Sequence, residues 1–176
     1  ILNYFKISKR LVSYHKFNET KIKEKIIEDL KKGKIISLVS DSGTPSISDP
    51  GKGLITAVHE NNINIFPVPG VSAPIAAYSV SGFQENFHFA GFLPKKLSEA
   101  ERYLIKLKKI NAVLIFFIPS RDLKKYHKII VKHFYDMEFF IAREITKLHE
   151  TYIRDKVDRL QRYIEKNNKG ELTLLV

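Results

Sequence analysis

Short apolar segments alternate with helical periodicities along the chain, and this alternation limits the possible folds more than any other feature. Apolar runs bounded by turn residues predict strands, and apolar residues spaced three and four apart predict helices. Strands that alternate with helices are typical of α/β domains, in which helices cover both faces of a sheet. The predicted strands are 35–39, 63–68, 87–92, 112–118, 138–142, 149–154 and 171–176. The predicted helices are 19–32, 52–60, 71–80, 98–108, 120–134 and 155–167.

Several classes of protein are excluded by what the sequence lacks. It has no cysteine, which excludes a disulfide framework, a thiolate zinc site and a cysteine nucleophile. The longest apolar run, Ala112–Ile118, is far shorter than the roughly 20 residues of a membrane span. The start of the sequence shows no basic-then-apolar pattern, so we expect no leader segment, and the histidines form neither an i, i+4 pair nor an HExxH motif. We therefore expect a cytoplasmic protein without a metal site. The polar segment Gly82–Asn86 predicts a boundary between two lobes, 1–83 and 84–176.

Basic residues are concentrated in one part of the chain. The formal net charge is +11, and the 38-residue segment 95–132 carries 11 basic and 3 acidic residues, so +8 of the excess lies there. A clustered cationic face attracts polyanions such as nucleic acid. The alternative is a lysine-rich helix surface that is only solvated. The candidate RNA contacts are Lys95, Lys96, Arg121, Lys124 and Lys125.

Two segments of small, turn-forming residues follow the first two predicted strands. Ser40–Gly51 holds two Gly, two Pro, two Asp and four Ser, and Pro69–Pro74 follows strand 63–68. In α/β sheets, ligands bind beyond the carboxyl ends of the strands, and small residues let a ligand approach the backbone closely. The alternative is that the Asp and Ser side chains only form local turns. We favour a ligand site.

Two further segments carry reactive side chains. Ser72 lies between a strand and a helix, as the nucleophile of a serine hydrolase does, although the second glycine of that motif is missing. Ala142–Glu150 contains two acids, two bases and a histidine. Such a segment offers an Arg for phosphate or carboxylate recognition and carboxylates for proton transfer, or else it forms a salt-bridged surface turn. The sequence contains neither a phosphate-binding loop nor a dinucleotide fingerprint.

Five segments occur in order along the chain and support a family resemblance. They are SDSGTPSISDPG (Ser40–Gly51), PVPGVSAPIAAYSVSGF (Pro67–Phe83), FAGFLPKK (Phe89–Lys96), AREITKLHE (Ala142–Glu150) and KGELTLLV (Lys169–Val176). On these segments the sequence closely resembles the bacterial small-subunit rRNA (cytidine-2′-O)-methyltransferases of the tetrapyrrole methylase superfamily. The resemblance covers essentially the whole chain, and its first and fourth segments are the most specific.

The resemblance implies a two-lobed α/β enzyme, its sheets flanked by helices, that binds S-adenosylmethionine (SAM) in a cleft between the lobes. The implied activity is methylation of a cytidine ribose 2′-hydroxyl in small-subunit rRNA, commonly by a homodimer. Arg143, Glu144 and Glu150 are the candidate catalytic residues, and Asp41 and Lys147 are further candidate bases. The residues implied to contact SAM are Asp41, Ser42, Gly43, Thr44, Pro45, Gly70, Ser72, Ala73, Ile118 and Ala142.

The chain also departs from the family pattern. Family members begin with a strand and a loop containing glycine and proline, followed by an acidic segment with an Arg, and they end in a helical extension. This sequence contains neither part, and its segment Phe116–Leu123 lacks a glutamate that many relatives carry. Two alternatives follow from these departures: an rRNA-binding protein without catalytic activity, or a methylase of the same superfamily that acts on a tetrapyrrole or a protein side chain.

Overall fold

The structure, a computed structural model, describes residues 2–84, 86–164 and 170–176. Its contacts divide the chain into two compact units, Ile1–Gly70 and Val71–Val176. Residues 71–83, which are predicted to belong to the first lobe, fall in the second unit. The lobe boundary after residue 83 therefore stays a prediction about the family's lobes. No helix of the described residues is long and apolar enough to cross a membrane.

The first unit is built on two helices, α1 (Glu19–Lys31) and α2 (Lys52–Glu60). Glu19, the first residue of α1, accepts a hydrogen bond of 3.0 Å from the N–H of Gly53 in the first turn of α2. A carboxylate is favourable there because the first N–H groups of a helix lack partners within the helix. The two helices bury a small apolar core made of Ile27, Leu54, Ala57 and Val58.

The predicted strands 35–39 and 63–68 are not strands in this structure. Several of their apolar side chains are exposed, including Ile35 at 97% and Val68 at 90%. A strand is held by hydrogen bonds to a neighbouring strand, and an apolar sequence alone does not supply that neighbour. The prediction from composition is therefore wrong for both segments of the described chain.

The second unit contains a five-stranded sheet in the order β1-β2-β5-β3-β4. The β1–β2 pair is parallel and is joined through a helix, whereas the β2–β5, β5–β3 and β3–β4 pairs are antiparallel. The strands are β1 (Phe87–Phe92), β2 (Val113–Pro119), β3 (Glu138–Arg143), β4 (Thr151–Lys156) and β5 (Glu171–Leu175). The helices are α3 (Ala73–Ser81), α4 (Leu97–Leu107) and α5 (Ser120–Phe134).

Helices cover both faces of this sheet, as predicted for an α/β fold. On β2, Leu114, Phe116 and Ile118 belong to the core that also holds residues of α4 and α5. Val113 and Ile115 belong to a second core with Ala77 of α3. Because successive side chains of a strand point to opposite faces, β2 is apolar at nearly every position.

The last predicted helix is a 3-10 helix and not an α-helix. The sequence predicts an α-helix over 155–167, but β4 continues to Lys156 and a 3-10 helix follows at Val157–Tyr163. Val157 and Leu160 are fully buried, and a spacing of three residues suits a helix with three residues per turn. The predicted end of this helix, residues 165–167, lies outside the described residues.

Candidate functional site

Three chain segments meet at one end of the sheet. β5 is antiparallel to both β2 and β3, so its first residues lie beside the last residues of those two strands. The N–H of Ser120, after β2, donates to the carbonyl of Gly170 at 3.0 Å. The N–H of Glu144, after β3, donates to the carbonyl of Glu171 at 3.0 Å. This end of the sheet therefore brings together the segment after Ile118 and the segment after Ala142.

Glu144 closes this end of the sheet with its side chain. Its Oε1 accepts the N–H of Glu171 at 2.9 Å and lies 3.1 Å from the ammonium of Lys147. The same ammonium lies 3.2 Å from Oε2 of Glu171. The backbone of Glu144 has a positive φ of 50°, and a Cβ on Gly170 would come within 2.7 Å of the Glu144 carboxylate. A side chain with this many fixed partners is a clamp between β3 and β5.

These contacts change the acidity of both partners. The N–H of Glu171, and then Lys147, stabilise the ionised carboxylate and lower the pKa of Glu144. The carboxylates of Glu144 and Glu171 raise the pKa of Lys147. Neither group is suited to accept a proton near neutral pH, because the carboxylate is a weakened base and the amine stays protonated.

The remaining candidate catalytic residues lie in the same turn. Glu150 accepts the backbone N–H of Thr146 with its carboxylate, which closes the loop after β3. Arg143 is the last residue of β3, lies opposite Leu172 and Thr151 in the sheet, and is partly buried. The structure thus brings Arg143, Glu144 and Glu150 together.

Ile118 and Ala142, two residues expected to contact SAM, are buried in the cores. Each is 1% exposed, and they belong to the cores on opposite faces of the sheet. Their side chains are therefore part of the protein core and are not available to a ligand.

Ser72 and Ala73 form the start of α3. Ala77, in the middle of the helix, packs in one core with Phe140 and Ala142 of β3. The carbonyl of Ser81, its last residue, contacts Arg154 of β4. The side chain of Ser72 makes no capping hydrogen bond to the helix, and the described residues provide no histidine hydrogen-bonded to its hydroxyl, as a serine nucleophile would require.

In the first unit, the candidate loop after residue 40 has an unusual backbone. Gly43, Ser46, Ser48 and Gly51 all have positive φ values, although serine rarely adopts this conformation. The hydroxyl of Ser40 donates to the carbonyls of residues 42 and 43 at 3.3 and 3.1 Å. The candidate residues in this loop are exposed or partly buried: Asp41, Ser42, Gly43, Thr44 and Pro45.

Gly70, the last residue of the first unit, is exposed. A Cβ built on it would meet only the carbonyl oxygen of Val68, at 4.0 Å. The space beside its backbone is therefore open to a ligand within this unit.

The five candidate RNA contacts differ in whether their side chains already have hydrogen-bond or ion-pair partners. Lys125 donates to the carbonyl of Lys95, and Lys96 forms an exposed ion pair of 3.4 Å with Glu99. Arg121 and Lys124 are exposed and have no ion-pair or hydrogen-bond partner for their side chains among the described residues.

Sequence reasoning missed several residues at these sites. Ser120 is 4% exposed, and its hydroxyl has no hydrogen-bond partner in the described part of the chain. Gly170 was not singled out, although a glycine directly before a strand is a signal for a strained backbone. Lys128, another exposed cation of α5, lies within the basic segment but is not among the predicted RNA contacts.

The comparisons with known proteins agree on one family. The model of the tetrapyrrole (corrin/porphyrin) methylases matches residues 3–161. Ribosomal RNA small subunit methyltransferase I of Thermotoga maritima is 40% identical over 178 residues, which cover 100% of this chain and 80% of that protein. The proteins of the same name from Mesomycoplasma conjunctivae and Bacillus subtilis are 37% and 34% identical, and the match covers 74% and 61% of their lengths.

Solved structures with the same fold include methyltransferases with low sequence identity. The methyltransferase CobJ matches 96% of this chain and 73% of its own, with a TM-score of 0.64 and 15% identity. A uroporphyrin-III C-methyltransferase from Thermus thermophilus, complexed with S-adenosylhomocysteine, matches 96% of this chain and 77% of its own, with a TM-score of 0.61 and 12% identity. These likenesses concern the fold.

Proposed function

Because the chain belongs to the tetrapyrrole (corrin/porphyrin) methylase family, we propose that it is a SAM-dependent methyltransferase that methylates a cytidine ribose 2′-hydroxyl of small-subunit rRNA. The observation that carries this proposal is the identity of 34–40% over the full length of the chain with relatives named ribosomal RNA small subunit methyltransferase I. A cobalt precorrin-4 methyltransferase and two structures of uroporphyrin-III C-methyltransferase share the fold at 12–18% identity. An rRNA substrate is therefore favoured over a tetrapyrrole.

The residues present fit a bound SAM molecule. The turn at Gly70 has open space beside its backbone, and Ser72 and Ala73 leave a helix N-terminus without a side-chain cap. Asp41–Pro45 form a loop of mostly small residues that are exposed or partly buried. Such segments let a ligand approach backbone N–H groups closely. In this proposal these segments, each described within its own unit, are the candidate contacts to the cosubstrate.

The reaction requires mainly that the ribose hydroxyl be positioned. SAM supplies a methyl group on a sulfonium, which is a good leaving group. The protein therefore contributes orientation and exclusion of water. Arg143 binds a phosphate of the RNA or the carboxylate of SAM. Glu150 and Asp41 remain the candidate bases, since the contacts of Glu144 and Lys147 make both poor proton acceptors.

Two measurements test this function. Titration calorimetry of S-adenosylhomocysteine into the full chain should show saturable binding. Arg143→Ala should lower methylation of small subunits that lack the modification by about 100-fold, as expected for loss of an electrostatic contact to the reacting groups. Arg159→Ala, which removes the 3.2 Å ion pair between Arg159 and Asp155, is the matched control. Full activity of a folded Arg143→Ala variant would contradict the role of Arg143.

A second candidate function is rRNA binding without catalysis. The observation that favours it is that segments 35–39 and 63–68, which precede the two candidate loops, form no strand in the described chain. RNA binding in the absence of any measurable affinity for S-adenosylhomocysteine would support this function, whereas saturable binding of S-adenosylhomocysteine would rule it out.

We also propose that the protein forms a homodimer in the cytoplasm, where its rRNA substrate lies. Apolar side chains are exposed along the sheet edge of the second unit: Phe87 and Phe92 of β1 are 40% and 54% exposed, and Val80 of α3 is 56% exposed. The ring of Phe87 lies 4.8 Å from that of Tyr78, so α3 and β1 share this surface. Exposed apolar patches mark interaction sites. Sedimentation should give a dimer and Phe92→Asp a monomer; a monomeric wild-type chain would contradict the proposal.

A further inference from the structure

Arg154 joins three elements of the second unit. It lies on the edge strand β4, and its Nη1 donates to the carbonyl of Ser81 at 3.1 Å. Its Nη2 lies 2.7 Å from Oε2 of Glu138, the first residue of β3. The guanidinium also lies over the ring of Phe83, 5.0 Å from its centroid. One side chain therefore contacts α3, β3 and the segment that follows α3.

These contacts hold the C-terminal end of α3. The last carbonyls of a helix lack partners within the helix, and a cation is favourable beside them because of the helix dipole. Arg154 supplies both a donor and a positive charge to Ser81. The next residue, Gly82, has a φ of +73°, and a Cβ there would come within 2.6 Å of Nη1 of Arg154. The guanidinium thus occupies space that only a glycine at position 82 leaves free.

The other end of α3 carries Ser72 and Ala73. Ala77, in the middle of the helix, is fully buried with Phe140 and Ala142. Because Ala142 is near the end of β3 and Glu138 is its first residue, α3 runs from the end of β3 toward its start. A nine-residue helix is only about 13 Å long and behaves as a short rod. A displacement at Ser81 is therefore transmitted to the helix start.

We propose that Arg154 is a positioning residue for cosubstrate binding: by holding the C-terminal end of α3 against β3 and β4, it sets the position of Ser72 and Ala73. This inference rests on the proposed function, which assigns these two residues to the SAM site. Lysine cannot replace arginine fully, because it lacks the planar fork that binds a carbonyl and a carboxylate at once.

The test is the affinity for S-adenosylhomocysteine of the full chain and three variants, measured by calorimetry. Arg154→Gln should weaken binding at least about fivefold and Arg154→Lys by a smaller factor. Arg159→Gln is the matched control, since its guanidinium is similarly exposed and pairs with Asp155 alone among the described residues; it should bind as the wild type does. A folded Arg154→Gln variant with wild-type affinity would overturn the inference. If that variant does not fold, Arg154→Lys with wild-type affinity would do so.

A second readout separates this inference from the proposed function. Hydrogen exchange of the ligand-free chain should show faster exchange at residues 76–79 of α3 in Arg154→Gln than in the wild type, with the amides of β2 unchanged. If the wild type does not bind S-adenosylhomocysteine, the proposed function fails while the anchoring of α3 is still measured. Unchanged exchange in α3 would then overturn the anchoring role itself.

Discussion

At the scale of single residues, the contacts of Glu144 decide between a catalytic and a structural role. The sequence makes Glu144 a candidate for proton transfer, because it is one of two acids in the segment that contains Arg143. The structure gives its carboxylate two partners, the N–H of Glu171 and the ammonium of Lys147. A carboxylate with fixed donors serves as a structural anchor, because its ionised form is the one that the donors stabilise.

Glu144→Ala should lower the free energy of unfolding by about 1–2 kcal/mol at pH 7, because the N–H of Glu171 loses its charged acceptor. The pKa of Glu144 is lowered in the folded state. Its stabilising contribution is therefore present above the unfolded value of about 4.3 and is lost as the pH falls through the folded value. The difference in free energy of unfolding between variant and wild type, measured by urea denaturation, should shrink below about pH 4.

The control for this prediction is Glu99→Ala, which removes an exposed ion pair and should change the free energy of unfolding by about 0.5 kcal/mol or less. A loss as large as that of Glu144→Ala would contradict the structural role of Glu144.

Gly170→Ala should destabilise the protein more than Gly33→Ala. Both glycines have positive φ values, 97° and 80°, but a Cβ on Gly170 meets the Glu144 carboxylate at 2.7 Å, whereas nothing lies within 4 Å at Gly33. Backbone strain costs about 1–2 kcal/mol at each position. We expect the clash to add roughly 1 kcal/mol or more at Gly170, measured by thermal or urea denaturation. In a Glu144→Ala background the extra cost should disappear; if it persists, the clash is not its cause.

At the scale of elements, α5 combines packing with charge. One side of the helix is buried, with Leu123, Tyr126 and Ile130 in the main core, and Lys124 and Lys128 on the other side are exposed. The hydroxyl of Tyr126 donates to the carbonyl of Pro94 at 3.1 Å, which fixes the loop before α4 against α5. The exposed lysines are thereby held on an element that is fixed to the core.

Lys124→Gln combined with Lys128→Gln should make RNA binding less dependent on salt. Each lost phosphate contact lowers the slope of log K against log salt by about 0.7 for single-stranded RNA, so we expect a change of about 1.4. Filter binding of a 16S rRNA fragment at several salt concentrations measures it. The matched control is Lys21→Gln with Lys25→Gln, two exposed lysines at the same spacing on α1. An equal change in both pairs would show that only the net charge matters.

At the scale of the whole molecule, the two units differ in how far the backbone of their apolar segments is hydrogen-bonded to neighbouring strands. The β2 backbone is hydrogen-bonded on both sides, to β1 and to β5. Segments 35–39 and 63–68 have no such ladder. Amides of β2 should therefore exchange with solvent at least about 100-fold more slowly than those of the two segments. Hydrogen exchange with mass spectrometry measures this, and protection of 35–39 or 63–68 equal to that of β2 would reveal a pairing partner for these segments.

The local elements follow closely from the sequence. The predicted bounds of α2, β1 and α5 agree with the structure, since turn residues and apolar periodicity act within a few residues of the chain. Family membership follows too, because the segments at 40–51 and 142–150 are long and specific. The site residues expected from them remain predictions, apart from the finding that Ile118 and Ala142 are buried.

What the sequence by itself determined is thus the order and type of most elements, the α/β class and the family. Only the tertiary structure decided that β5 lies between β2 and β3, that Glu144 clamps β5 to β3, and that Arg154 reaches the end of α3. It also decided that two apolar segments of the first unit form no strand. The physical reason is common to all four: each depends on a hydrogen-bond partner far away in the sequence, and local composition specifies a segment's preference but not its partner.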